Sequence, residues 1–229
     1  MNSWFDKLYE TFIVDDNYRL LLEGFCNTIV ITLCALLIGV VIGTVIAVVK
    51  YFGEDIAAMK PLCWLCDLYT TVIRGVPVVV LLLITYFIIF ASSDNGVLVA
   101  IITFGINSGA YMAELIRGGI QSVDKGQMEA GRSLGLSKLQ TMVKIIFPQA
   151  IRYILPAIGN EMIALLKETS VAGYVAVRDV TKAGDQIRNL TYDAVSPLLT
   201  VALTYLALVV LMTALLNVIE KRLAKSDKG

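Results

Sequence analysis

Ala157, Asn160, Glu161, Ala164 and Glu168 recur three and four residues apart, the spacing that sets side chains on one face of a helix. Ile158, Ile163, Leu165 and Leu166 occupy the rest of that helix. A carboxylate beside an amide, Glu161 next to Asn160, is a donor–acceptor set suited to an ammonium or another cation. In an apolar helix a carboxylate turned to lipid costs several kcal/mol, so the face lines an aqueous path or a protein interface. A structural contact between Glu161 and a basic residue of a neighbouring helix fits the same pattern. Asn107, Ala110, Tyr111 and Glu114 repeat the spacing on an earlier segment, with Arg117 and Gly118 beyond them. Arg74, ahead of Gly75 and Pro77, either reaches the same cavity or snorkels to headgroups. The chain has no histidine, which rules out Ser-His-Asp and Cys-His catalysis. Cys63 and Cys66 form an isolated C-x-x-C without the second pair that a zinc site needs, so no metal is expected and the four cysteines read as packing residues.

The elements that must hold these groups are apolar helices. Of the 229 residues 57% are hydrophobic and 17% charged, against about 25% charged in soluble domains, and the mean hydropathy is +0.76. With uncharged runs near or above about 18 residues, this describes an all-α integral membrane protein. A formal net charge of zero argues against nucleic acid as a partner. Residues 1–17 place Trp4, Phe5, Leu8, Tyr9 and Phe12 at helical spacing opposite Asp6 and Glu10, as in an amphipathic helix lying in the interface. No cleavable signal pattern is present, so the first apolar block is expected to act as the insertion signal. That block, Gly24 to Val49, carries no charge and lines up Thr28, Thr32, Ala35, Gly39, Gly43 and Ala47 as a small-residue face for close helix packing. A second span ends near Ser93 with its start open within 50–74, Ser92, Asp94, Asn95 and Gly96 make a tight turn, and a third span follows to about Ala113. A fourth starts near Pro148 and is interrupted by Pro156, Asn160, Glu161, Lys167 and Glu168. A fifth covers Ala194 to Ile219, ahead of a basic tail at 221–229.

Five spans put the termini on opposite sides. With the C-terminus cytoplasmic, the inner segments hold three, six and four basic residues, thirteen of the 19, and the outer ones six. The bias predicts an outer N-terminus and a cytoplasmic polar insert. That insert, 124–147, reads as two short helices. Asp124 followed by Gln127 predicts a capping box and a helix from Lys125 to about Leu134, stopped by Gly135. Ser137 followed by Gln140 predicts a second helix, apolar at Leu139, Met142, Val143 and Ile146, that ends before Pro148. Such a knob docks into a partner's groove or lies as an elbow on the inner leaflet.

Glu129, Ala130 and Gly131, three residues, Gly135, nine residues, then Ile145, Phe147 and Pro148 resemble the EAA loop of permease subunits of binding-protein-dependent ABC importers. The departures are Gly131 for the third alanine and Phe147 for leucine. EGFCNTIVITL near the first span, RGVP at 74–77, NSGAYMAELIRGGIQSVDKGQ at 107–127 and LPAIGNEMIALLKETS at 155–170 are similar to the polar amino acid branch of those permeases. The resemblance spans about 18–220. It implies a type I ABC importer-like fold of about five transmembrane helices and a cytoplasmic two-helix coupling insert. It also implies a role in moving amino acids, a pathway face at Ala157, Asn160, Glu161, Ala164, Asn107, Tyr111 and Arg74, and ATPase coupling through Glu129, Ala130, Gly131, Gly135, Leu136 and Ser137. The implied partners are two ATP-binding cassette subunits, a second permease copy or related permease, an extracytoplasmic solute-binding protein and membrane lipid. ATP and magnesium are used by the ATPase, with no cofactor on this chain, which has no G-x-x-x-x-G-K-[ST] phosphate loop of its own. An ion-gradient-driven transporter would need an internal repeat or several intramembrane ligands, and a scaffold has no use for a polar helix at mid-membrane.

Overall fold

The structure, a computed structural model, describes residues 4–14, 16–53 and 56–225. All regular structure among them is helical: α1 (Trp4–Tyr9), α2 (Tyr18–Gly53), α3 (Lys60–Gly75), α4 (Val78–Ile84), α5 (Gly96–Gln121), α6 (Lys125–Ser133), α7 (Lys138–Thr141), α8 (Phe147–Glu168), α9 (Val180–Thr191) and α10 (Val195–Lys225). Among the described residues four helical stretches are long and apolar enough to cross a membrane, and α3 with α4 makes a fifth if that bent pair is one span. The 3₁₀ segment Thr169–Val175 continues α8.

Two compact units interleave along the chain. Unit one comprises Met1–Leu37, Val76–Gly105 and Ile163–Met212; unit two comprises Ile38–Gly75, Ile106–Met162 and Thr213–Gly229. Unit one closes around Ile31, Leu82, Phe104, Leu165 and Val175, all 1% exposed or less. Unit two has one cluster of Ala47, Ile116, Met142, Ile146 and Ile154, and another of Ile46, Cys66 and Ala113. The small face of α2 is where the sequence puts it: Thr28, Thr32, Ala35 and Ala47 are buried, while Val30, Leu33, Leu37, Val41, Val45 and Val48 are exposed, as lipid contacts must be.

The differences from the sequence reading have local causes. The second span is broken: α3 stops at Gly75, Pro77 precedes α4, and a π turn, Thr85–Ile89, ends the helix before Ser93. The third span runs on to Gln121, because Glu114 and Arg117 pair on the helix rather than ending it. Residues 169–196 contain α9, whose Val180, Ala183, Gly184 and Ile187 are buried at helical spacing behind the N-cap Asp179. α1 passes into a π turn, Glu10–Val14, that buries Phe12 and Thr11; the side chains of Trp4 and Phe5 and tail residues 226–229 lie outside the description. The helix after Ser137 does not end at Pro148, nor do Pro156, Asn160 and Glu161 interrupt α8. A π turn at Met142–Ile146 widens the backbone where proline can neither donate to nor tolerate the carbonyl four residues back, and Gln149 Nε2 donates to Ile145 O at 2.8 Å. This wide turn also splits the expected apolar face, burying Met142 and Ile146 and leaving Leu139 and Val143 each 58% exposed.

Candidate functional site

Unit two carries most of the residues singled out above. α8 holds Ala157 and Glu161 half-buried and leaves Asn160 exposed; Ala164, half-buried on the same helix, belongs to unit one. Ser108 on α5, fully buried, donates from Oγ to Glu161 Oε1 at 3.5 Å. Ser108 thus meets the Glu161 carboxylate from α5, and a carboxylate is an acceptor suited to a positively charged group. Asn107, next to Ser108, is 3% exposed. Tyr111, one helical turn on, faces Arg74, whose guanidinium carbon lies 5.4 Å from the ring centroid, a cation–π contact. The fold thus joins Glu161 to Ser108 of α5 and Arg74 to Tyr111, and it leaves Asn160 exposed. Ser108 escaped the sequence reading, which followed amides and charges; its spacing of three from Tyr111 was the available signal.

A second charged group also went unread. Lys50 Nζ, with its side chain 13% exposed, lies 2.5 Å from Asp67 Oδ1 and 3.9 Å from Glu114 Oε1, and Glu114 pairs with Arg117. It ties α2, α3 and α5 together. Opposite charges isolated in apolar runs, Lys50 after Val49 and Asp67 within α3, are the sequence signature of such a tie.

The insert is built by caps and one turn. Asp124 caps α6 by accepting from Gly126 N at 2.6 Å, not through a box with Gln127. At Ser137 the box is complete: Gln140 N donates to Ser137 Oγ at 3.1 Å and Ser137 N to Gln140 Oε1 at 2.8 Å. Between them Gly135 has φ +82°, a left-handed conformation that glycine adopts without cost. Gly131 is buried against Thr141, and a Cβ there would come within 2.8 Å of Thr141 Oγ1, which explains glycine at that position. Glu129, Ala130 and Ser137 are exposed, Leu136 is half-buried and Leu134 is 80% exposed. Lys138 Nζ lies 5.1 Å from the Tyr51 ring centroid and 5.8 Å from that of Phe52, fixing α7 to the end of α2. Among the described residues no group of carboxylates and cysteines could hold a metal ion.

Residues 39–225 match the family model described as binding-protein-dependent transport system inner membrane component. The arginine transport system permease protein ArtQ of Bacillus subtilis is 34% identical over 210 residues, which are 90% of this chain and 94% of ArtQ. The probable glutamine ABC transporter permease protein GlnM of the same organism is 37% identical over 219 residues, 93% of this chain and 98% of GlnM. Among solved structures, an amino acid ABC transporter crystallised with histidines superposes with a TM-score of 0.85 at 35% identity, over 97% of this chain and 100% of that one.

Proposed function

The chain belongs to the family of binding-protein-dependent transport system inner membrane components, and from that membership we propose that it is the permease subunit of an ABC importer for polar or charged amino acids. As a member of the family it is a multi-pass inner-membrane protein, and ATP is hydrolysed by a separate subunit. In our reading two ATP-binding cassette subunits, using ATP with magnesium, dock on the insert at 124–147 through Glu129, Ala130, Gly131, Gly135, Leu136 and Ser137. An extracytoplasmic binding protein delivers substrate to a pathway formed with a second permease copy or a related one. The N-terminal segment 1–17 lies in the outer interface, 18–220 form the transmembrane domain, and the tail 221–229 is cytoplasmic.

The observation that carries the substrate class is Glu161, a carboxylate on a spanning helix, half-buried and held by Ser108. Counted from Gln149, Asn160 lies roughly 17 Å along α8 at 1.5 Å per residue, near the midplane of a core about 30 Å thick. An amino acid brings an α-ammonium to that depth, and a cationic side chain brings a second positive charge. Arg74, Asn107, Tyr111, Ala157, Asn160 and Ala164 line the same pathway in this reading.

The test uses the complete importer in proteoliposomes, with labelled L-arginine and L-glutamine and with or without ATP on the nucleotide side. Glu161→Gln keeps shape and removes charge, so uptake should drop at least tenfold while complex assembly is retained. Uptake by Glu161→Gln at the wild-type rate, with Glu161→Leu lowering only expression, would make Glu161 a structural contact. Uptake without ATP under an ion gradient would refute the importer.

A further inference from the structure

Unit one contains a cavity of about 740 Å³, within the range of about 300–1,000 Å³ typical of small-molecule sites. Its walls come from the start of α2, the connection before α5 and the segment from Ala176 into α9. In chain order all three belong to the same ends of the spanning helices, the ends away from the 124–147 insert. Glu23, Asp94, Arg178 and Lys182 line it with two charges of each sign, and Asn27 and Gln186 add amides.

The wall is built around Arg178. Its Nε donates to Gln186 Oε1 at 2.7 Å, its Nη1 pairs with Glu23, and its own carbonyl accepts from Asn27 Nδ2 at 2.9 Å. An arginine has five N–H donors in a fixed fork, so the second Nη1 hydrogen and both on Nη2 remain for a planar anion. Lys182 has its ion-pair partner, Asp185 at 3.3 Å, outside the residues that line the cavity. The Asp94 carboxylate makes no hydrogen bond or ion pair with any described residue. Just ahead of Arg178, Ala176 sits in the left-handed region at φ 59°, a conformation that costs a residue with a Cβ about 1 kcal/mol or more and that marks functional loops. A free anion acceptor on one side and arginine and lysine donors on the other match one ligand chemistry, a zwitterion.

We propose that this cavity is a second amino-acid subsite at the outer end of the pathway, where Arg178 and Lys182 take the α-carboxylate and Asp94 with Glu23 the α-ammonium. The proposal rests on the importer reading above and adds a stop before Glu161. The two sites differ in what they hold. Glu161 offers only negative charge and grips the ammonium or a cationic side chain, whereas the outer cavity reads the backbone of any α-amino acid and leaves its side chain free.

The test measures equilibrium binding of labelled L-arginine and L-glutamine to the permease–ATPase complex without its binding protein, and uptake by the complete importer. Glu161→Gln should leave one class of binding intact. Adding Asp94→Asn or Lys182→Gln should weaken that class about three- to tenfold, as expected for removing one partly exposed charge-assisted hydrogen bond. Asp94 makes no bond to a described residue and Lys182 pairs with Asp185 one turn on along α9, so both substitutions leave the bonds between the cavity walls, Arg178 with Glu23, Gln186 and Asn27, in place. L-argininamide, which lacks the carboxylate, should bind the outer class weakly in wild type and no worse in Lys182→Gln. If wild type binds both amino acids and Asp94→Asn and Lys182→Gln change neither binding nor half-saturation of uptake, the cavity is a solvated cleft and the outer subsite is refuted while the importer reading stands. If wild type neither binds nor moves any amino acid of the panel, both readings fail together.

Discussion

Asp179 shows how much one side chain holds together outside the spans. It is fully buried as the N-cap of α9, accepting from Lys182 N at 2.9 Å, Thr181 N at 3.2 Å and Tyr205 Oη at 3.3 Å. Burial pushes its carboxyl above the ordinary 3.8, and the backbone donors of Lys182 and Thr181 offset only part of that rise. The sign follows from proton linkage. A folded-state value above the unfolded one means that the native protein binds the proton more readily, so this stabilising contribution is complete below 3.8 and is lost as pH rises through the raised value. Asp179→Asn keeps an acceptor for the cap and cannot ionise. The melting temperature of the purified variant should therefore fall less than that of wild type when pH rises from 3.8 toward neutrality. Equal slopes would remove Asp179 from the acid-side behaviour.

At the scale of elements, the insert was the most legible part of the sequence because its signals are local. A capping box at Ser137 and a glycine stop at 135 need no tertiary partner to be read. Gly135→Val should cost about 1 kcal/mol or more at a left-handed position, and Gly131→Val drives two methyl groups into Thr141. Both variants should insert in the membrane yet lose substrate-stimulated ATP hydrolysis in the assembled importer, with Gly131→Ala intermediate; normal stimulation in both valine variants would separate the insert from coupling. The break at Pro77 and the course of residues 169–196 were less legible. α9 is twelve residues of mixed polarity whose helix depends on burying Val180 and Ile187, and apolar-run counting passes over such a segment even though Asp179 and the spacing of Val180, Ala183 and Ile187 announce it. Ser108 was passed over for a different reason: a serine in an apolar helix normally bonds its own backbone, so its spacing from Tyr111 says nothing of the Glu161 that the fold brings to it.

For the whole molecule the expectation to test is direction across the membrane. Single cysteines at Ser137 and Asn189, both exposed, can be placed in a chain lacking Cys26, Cys34, Cys63 and Cys66. In intact cells an impermeant maleimide should label the one at Asn189 and spare the one at Ser137; the opposite pattern would invert the topology. A cysteine at Ser226 would serve as a second inner marker, in the tail outside the described residues. The π turn at Met142–Ile146 bears on how this long polypeptide tolerates change in length. Phe147 N bonds to Met142 O, five residues back, so the turn hides one residue that a regular helix would have no room for. Deleting Val143 should let the turn collapse to α-helical spacing and keep α8 in phase with the insert, but it puts the Pro148 ring against the carbonyl four residues before it. Deletion of Val143 combined with Pro148→Ala should therefore still import. Inserting one alanine after Ala150, where no slack exists, turns everything beyond it by about 100° and swings Glu161 away from Ser108. A library of single-residue deletions and insertions along 138–162, selected for growth on the imported solute, should show a lone tolerant window at 142–146, much as a spare link in a chain can be removed without shifting the teeth it engages.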